Sequence, residues 1–296
     1  MTEALSDILS LFASSFYGSL VVGAVCPVIG VFFVLRRVVF LGIAVPQFAA
    51  AGVAFGFVLL PLVEGGAQGG GGTSAAGLEG HFTFHLLFAL AFTFLALFVL
   101  ALLGRKGTGS PESRIAAGYA FAAALTVLFL SASAMGAAHV QVLLRGEILT
   151  LSTQDLVLIC VLFGLVFLVF LLFHRRFLLV GYDREAAVSL GYRPFLWDAL
   201  LYGLVGASIA AGVLTVGPLV IFGLMVIPPL AARPLAVNMT AFYLFSAAFG
   251  LLTSAGGFLL SYLADWPLGP TDVVLAFALL CLVHALKGTG RLLRAA

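Results

Sequence analysis

"RRVVFLGIAVPQFAAAGVAFGF", residues 36–57, opens on Arg36 and Arg37 and then runs to Phe57 without a formal charge. A helix rises 1.5 Å per residue, so the stretch after Arg37 extends about 30 Å, the thickness of a bilayer's hydrocarbon core. Its one strongly polar side chain is Gln47, beside Pro46. Gln47 stands about 15 Å beyond Arg37, near the midplane of such a core. The same texture fills the chain: of 296 residues, 63% are hydrophobic and 9% charged, and mean hydropathy is +1.22. Soluble domains carry about 25% charged residues. Most of this surface must therefore face lipid, and the expected fold is all-α: a polytopic integral membrane helical bundle of about eight or nine transmembrane helices.

Uninterrupted apolar windows predict helices near 11–35, 38–62, 82–103, 115–134, 154–173, 197–214, 217–232, 239–262 and 271–287. The sixth and seventh adjoin at "LTVGPLV", where Gly217 and Pro218 break the helix and allow a tight return. A broken or re-entrant pair there leaves eight spans as the alternative to nine. Placing the Arg36/Arg37 turn in the cytoplasm and alternating nine spans puts all of the 14 lysines and arginines except Arg145 on the inner side. That asymmetry is the positive-inside pattern, with the N-terminus outside and the C-terminus cytoplasmic in a cell inner membrane. The start "MTEALSDILS" is acidic where a cleavable signal peptide would be basic. Residues 1–296 then form a single transmembrane domain, with two notable connections. The Gly-rich stretch 64–80 reads as a flexible outer linker. The segment 174–196 is the longest cytoplasmic one. In its middle "DREAAVSLGY" predicts a short helix, with Asp183 as N-cap and Gly191 as terminator.

Several activities are excluded by what the sequence lacks. No HExxH or GxSxG motif is present, and "GRKGTGS" at 104–110 has no Lys-Ser/Thr after its last glycine, so it is not a nucleotide-binding P-loop. No catalytic residues are assigned and the chain is read as a transport subunit, not an enzyme. A net charge of +2 gives no reason to expect nucleic acid. The three cysteines, Cys26, Cys160 and Cys281, lie in apolar runs without a CxxC spacing. Asp155, Asp198 and Asp272 fall at predicted helix starts, which leaves the spans nearly free of ionisable groups and argues against a proton-coupled carrier. Gly52 and Gly56 form a GxxxG pair, a signal for close helix packing.

Five stretches in order resemble the zinc-uptake permease family, the membrane subunits of zinc, manganese and iron ABC importers. "VFFVLRRVVFLG" with "AAAGVAFG" is similar to its first hairpin, and "LLRGEILTLSTQDL" at 143–156 to its outer Gly-acid-x-Leu element. "YDREAAVSLG" at 182–191 resembles its cytoplasmic coupling segment, "VGPLVIFGLMVIPPLAAR" at 216–233 its most recognisable helix, and "SYLADWPLGPTDVVL" at 261–275 its closing turn. The resemblance implies a homodimeric permease that docks two ATP-binding subunits and receives substrate from an extracytoplasmic binding protein. Asp183, Arg184, Glu185, Ala186 and Gly191 would then couple it to the ATPase. ATP would be bound by that partner, this chain would hold no cofactor of its own, and a divalent metal would be cargo.

The second helix departs from the family pattern, which has an Asp after the Gly of "LG" and a His four residues later. Spacing of i, i+4 would set carboxylate and imidazole on one helix face, a pair suited to a divalent metal. Here those positions are Ile43 and Gln47. Three readings are open: a metal still passes using other ligands, with the Cys26 thiol at similar depth as one; another small solute, or a chelated metal, uses a neutral path; or Gln47 only hydrogen-bonds a neighbouring helix. Gln47, Pro46, Cys26 and Ile43 are the path candidates. His81 and His85, with His139 and Glu147 on the same side, are candidates for an outer metal-capture site. An ATP-independent, sodium-coupled or facilitative carrier is the competing class.

Overall fold

The computed structural model describes residues 12–64, 76–105, 110–132 and 153–295. Its helices are α1 (Ala13–Leu35), α2 (Leu41–Glu64), α3 (Ala76–Arg105), α4 (Pro111–Ala132), α5 (Thr153–Tyr182), α6 (Arg184–Ser189), α7 (Pro194–Val216), α8 (Pro218–Ala232), α9 (Met239–Ala264) and α10 (Leu268–Ala295). The described residues contain no strand. Eight of these helices are long and apolar enough to cross a bilayer, and α8 is a ninth, shorter apolar helix. The outer helices keep their apolar side chains exposed: Leu87, Phe98, Val127, Leu128, Val161 and Leu172 all lie open on α3, α4 and α5. Soluble proteins do not tolerate apolar surface on that scale, and a bilayer covers it without cost.

Arg36 and Arg37 end α1 because the backbone turns there. Arg37 adopts the left-handed conformation (φ 56°), the Val38 N–H donates to the Phe33 carbonyl, and the Arg37 N–H donates to that of Val34. This is the paired closure that a glycine usually supplies. Four residues later α2 sets off. The bend at Gly217 is equally local: φ 82° and ψ 161° are open to glycine alone, and Pro218 then begins α8 with a pre-set φ. At the opposite turn, Asp265 ends α9 in the left-handed region (φ 54°), and the Ser261 hydroxyl donates to the Trp266 carbonyl at 2.6 Å.

The centre of the bundle is α8. Its 15 residues extend about 22 Å, short of a full hydrocarbon core, but it is enclosed by protein, with Val220, Ile221, Leu224, Met225 and Ala231 all buried. Contact with α1 is backbone to backbone: a Cβ at Gly30 would lie 2.9 Å from the Met225 Cα. Further along, Val34 and Ala232 share an apolar cluster, so α8 runs parallel to α1. Because the end of α1 meets the start of α7 through Arg36 and Asp198, α7 runs the other way. The two therefore form a hairpin about Gly217, with Gly212 against the Ile221 side chain. Small residues permit the other close crossings: Gly23 of α1 lies against Gly250 and Ser254 of α9, and Gly52 of α2 against the Phe88 carbonyl of α3.

Several boundaries differ from the sequence expectation, and α10 continues to Ala295, past the expected end at 287. The helix predicted to end at 173 continues to Tyr182, because Arg175 and Arg176 change polarity without interrupting backbone hydrogen bonds. The segment 174–196 is therefore helix for its first nine residues, then α6, then the first turn of α7. The outer linker is shorter than 64–80: Glu64 closes α2 and residues 76–80 already belong to α3, while 65–75 lie outside the described residues.

Candidate functional site

Two regions carry the predicted functional residues: one face of α2, and the end of the bundle where α1, α5, α6 and α7 meet. On α2, Ile43 and Gln47 stand one helical turn apart on a common side, both half-buried, with Pro46 buried between them. Among the described residues the Gln47 amide makes no hydrogen bond, so the helix-bridging reading has no partner there. Cys26 is fully buried, in the apolar cluster that also holds Val45 and Ala49.

The histidines are dispersed. His85 is buried at the α2–α3 crossing, under Gly56 and 4.2 Å from the Phe57 ring centroid. The GxxxG pair thus serves helix packing, as its spacing suggests. The His81 side chain, His139 and Glu147 lie outside the described residues. Among the described residues, no three His, Cys, Asp or Glu side chains are grouped to hold a metal ion.

The second region is tightly built. Asp183 caps α6, its Oδ1 accepting the Ala186 N–H at 2.8 Å. Gly191 (φ 81°) closes it: the Tyr192 N–H donates to the Ala187 carbonyl and the Gly191 N–H to that of Val188. Capping at both ends makes a six-residue helix viable, since too few residues remain to stabilise it by internal bonds alone. Ala187 is buried against the bundle, while Glu185, Val188 and Leu190 are exposed and Ala186 is half-buried. Local sequence signals thus located α6 and both its caps.

Sequence reading missed what α6 is attached to. Asp198, taken as an ordinary helix start, receives Arg36 Nη1 at 2.6 Å and Arg184 Nη1 at 3.5 Å, on different carboxylate oxygens. Arg36 also donates to the Phe177 carbonyl at 3.5 Å and lies 5.9 Å from the Tyr202 ring centroid. Nearby, the Arg176 guanidinium sits over the rings of Trp197 (4.9 Å), Phe173 (5.3 Å) and Tyr192 (5.8 Å). Arg233 and His284 line a cleft between the end of α8 and α10. Asp272 was misread as well. It lies one turn inside α10, 1% exposed, packed against Gly257 of α9, with no hydrogen bond to its Oδ1 among the described residues. The spans are thus less free of carboxylate than a helix-start position implied.

Residues 9–287 match the model of the ABC 3 transport family. The chain belongs to that family. It is the membrane-spanning permease type of subunit. A chelated iron transport system membrane protein, YfeC, of Yersinia pestis is 28% identical over 87% of this chain and 80% of its own length. The manganese import system permease protein ScaB of Streptococcus gordonii is 25% identical over 90% and 87%. A probable iron transport system membrane protein of Haemophilus influenzae is 27% identical over 52% of this chain, which spans 54% of that protein. Among solved structures, PsaBC from Streptococcus pneumoniae in complex with Fab superposes with a TM-score of 0.79, covering 96% of this family member and 95% of that chain at 20% identity. At that identity the likeness is one of fold.

Proposed function

We propose that this permease belongs to an ABC importer that moves divalent metal ions, of the zinc, manganese or iron type, inward by ATP-driven alternating access. The observation that carries the reading is the family match across 9–287 in a chain whose exposed, doubly capped helix α6 stands at its basic end. The named relatives supply the cargo class, and ATP is hydrolysed by a separate subunit. Two copies of this chain form the channel, two ATP-binding subunits dock at α6, and an extracytoplasmic binding protein delivers substrate. The charge asymmetry supports an inner-membrane orientation with the α6 end and the C-terminus in the cytoplasm and the N-terminus outside. Gln47 lines the path, with Ile43 one turn away and Pro46 fixing the local backbone; Cys26, buried in the core, is the weaker path candidate. Asp183, Arg184, Glu185, Ala186 and Gly191 form the coupling unit.

One observation favours a second reading of the cargo. Hydrocarbon at Ile43 and an amide at Gln47 offer weak ligands to a bare divalent ion, and a neutral lane suits a metal that travels in a chelate. The test is to purify the chain with its ATP-binding subunit in lipid vesicles and to measure ATP hydrolysis with manganese, iron(II), zinc or their chelates supplied on the binding-protein side. Stimulation by free ions supports the leading reading, and stimulation by chelates alone supports the second. Metal movement by this chain with no ATP-binding subunit present would establish the carrier class instead.

A further inference from the structure

We propose that Asp198 is a positioning residue that links the coupling helix α6 to the end of α1, through one permanent arm and one breakable arm. The inference rests on reading α6 as the docking helix for the ATP-binding subunit. The two arms differ in kind. Arg36 is 13% exposed and approaches Oδ1 at 2.6 Å, while the Phe177 carbonyl and the Tyr202 ring hold its other side. A charged pair this short and shielded is costly to separate, because each partner would be left buried and alone. Arg184 is 66% exposed and reaches Oδ2 at 3.5 Å, so its arm contributes little to stability and can open and close. Asp198 itself is 19% exposed, at the first turn of α7.

The far end of α6 is anchored independently. Tyr192, just beyond its closing glycine, shares the Arg176 guanidinium with Trp197, the residue preceding Asp198. A push on α6 is therefore received at both ends by the start of α7 and, through the carboxylate, by the end of α1. From there it enters the packed interior, since α1 touches α8 at Gly30 and α9 at Gly23 without intervening side chains. Helices in such close contact move as units. The carboxylate is needed for its two oxygens: an asparagine at 198 keeps one acceptor for Arg36 but turns a donor toward Arg184.

The experiment measures metal ions moved per ATP hydrolysed in vesicles holding the chain with its ATP-binding subunit, using manganese, iron(II) and zinc separately. Asp198→Asn and Arg184→Gln are each expected to lower that ratio about tenfold. The double variant should fall no further than either single, because both break one link. Arg184→Lys, which restores the charge, should return the ratio to within about twofold. A role confined to holding the fold would lower hydrolysis and transport together and leave the ratio unchanged. If Asp198→Asn fails to assemble, Arg184→Gln against Arg184→Lys decides alone, because Arg184→Gln leaves the Arg36 pair intact. An unchanged ratio in Arg184→Gln, or losses that multiply in the double variant, would overturn the link. A wild-type complex that moves neither the metals nor their chelates under ATP overturns the docking reading of α6 and the link with it.

Discussion

Replacing Gly30 by alanine probes the placement of α8 at the centre of the bundle. The added methyl would lie 2.7 Å from the Met225 carbonyl carbon and 2.9 Å from its Cα, and closer still to its oxygen. Those atoms are backbone on an enclosed helix, so no rotamer change relieves the contact and α1 must move away from α8. Overpacking of a tight core costs about 1–3 kcal/mol, and a backbone obstacle places this case near 3. Alanine recovers about 0.8–1 kcal/mol over glycine in a helix, leaving a net loss of about 2 kcal/mol. Gly164 on α5 provides the control: nothing lies within 4 Å of its added methyl, so Gly164→Ala should gain the propensity term alone. The two variants should therefore separate by about 3 kcal/mol, read as opposite shifts in melting temperature of purified protein followed by size-exclusion chromatography after heating. If Gly30→Ala melts with or above Gly164→Ala, α1 and α8 do not touch as described.

Removing either cap should loosen α6. Asp183→Ala costs about 1 kcal/mol and Gly191→Ala about 1–2 kcal/mol, the latter because alanine resists the left-handed backbone. Faster amide exchange at residues 186–192 would register both, and unchanged exchange would contradict the capping roles. Gln47→Leu should change stability by no more than about 0.5 kcal/mol, since no described partner is lost, yet lower metal uptake. A large fall in melting temperature would instead mark Gln47 as a packing residue. Tryptophan at Glu185 or Ala186 should separate ATP hydrolysis from transport, and normal uptake in either variant would count against α6 as the docking element.

What the sequence disclosed was local. The apolar windows, the Gly217–Pro218 break, the Asp183 cap and the Gly191 terminator each depend on a few neighbouring residues, and each stands in the structure. Polarity was a poor guide to helix ends: the basic run His174, Arg175 and Arg176 does not stop α5, which continues to Tyr182 because nothing there breaks its backbone ladder. The Arg36–Asp198 pair joins residues 162 positions apart, and no periodicity or motif announces such a partner. Asp272 was passed over for a related reason, since a carboxylate near a helix start is ordinarily solvated, and only the packing of α9 across it reveals its burial. The same limit applies to α2. Spacing puts Ile43 and Gln47 on one face, but that Cys26 is wholly enclosed in the core becomes visible only when the helices are assembled.

The most direct measurement is ATP-dependent metal accumulation. Vesicles containing this chain and its ATP-binding subunit, supplied with the binding protein and with manganese, iron(II) or zinc, should concentrate at least one metal when ATP reaches the α6 side, and none when ATP is withheld. Accumulation that proceeds equally well without ATP, or only when ATP is placed on the side opposite α6, would contradict the account.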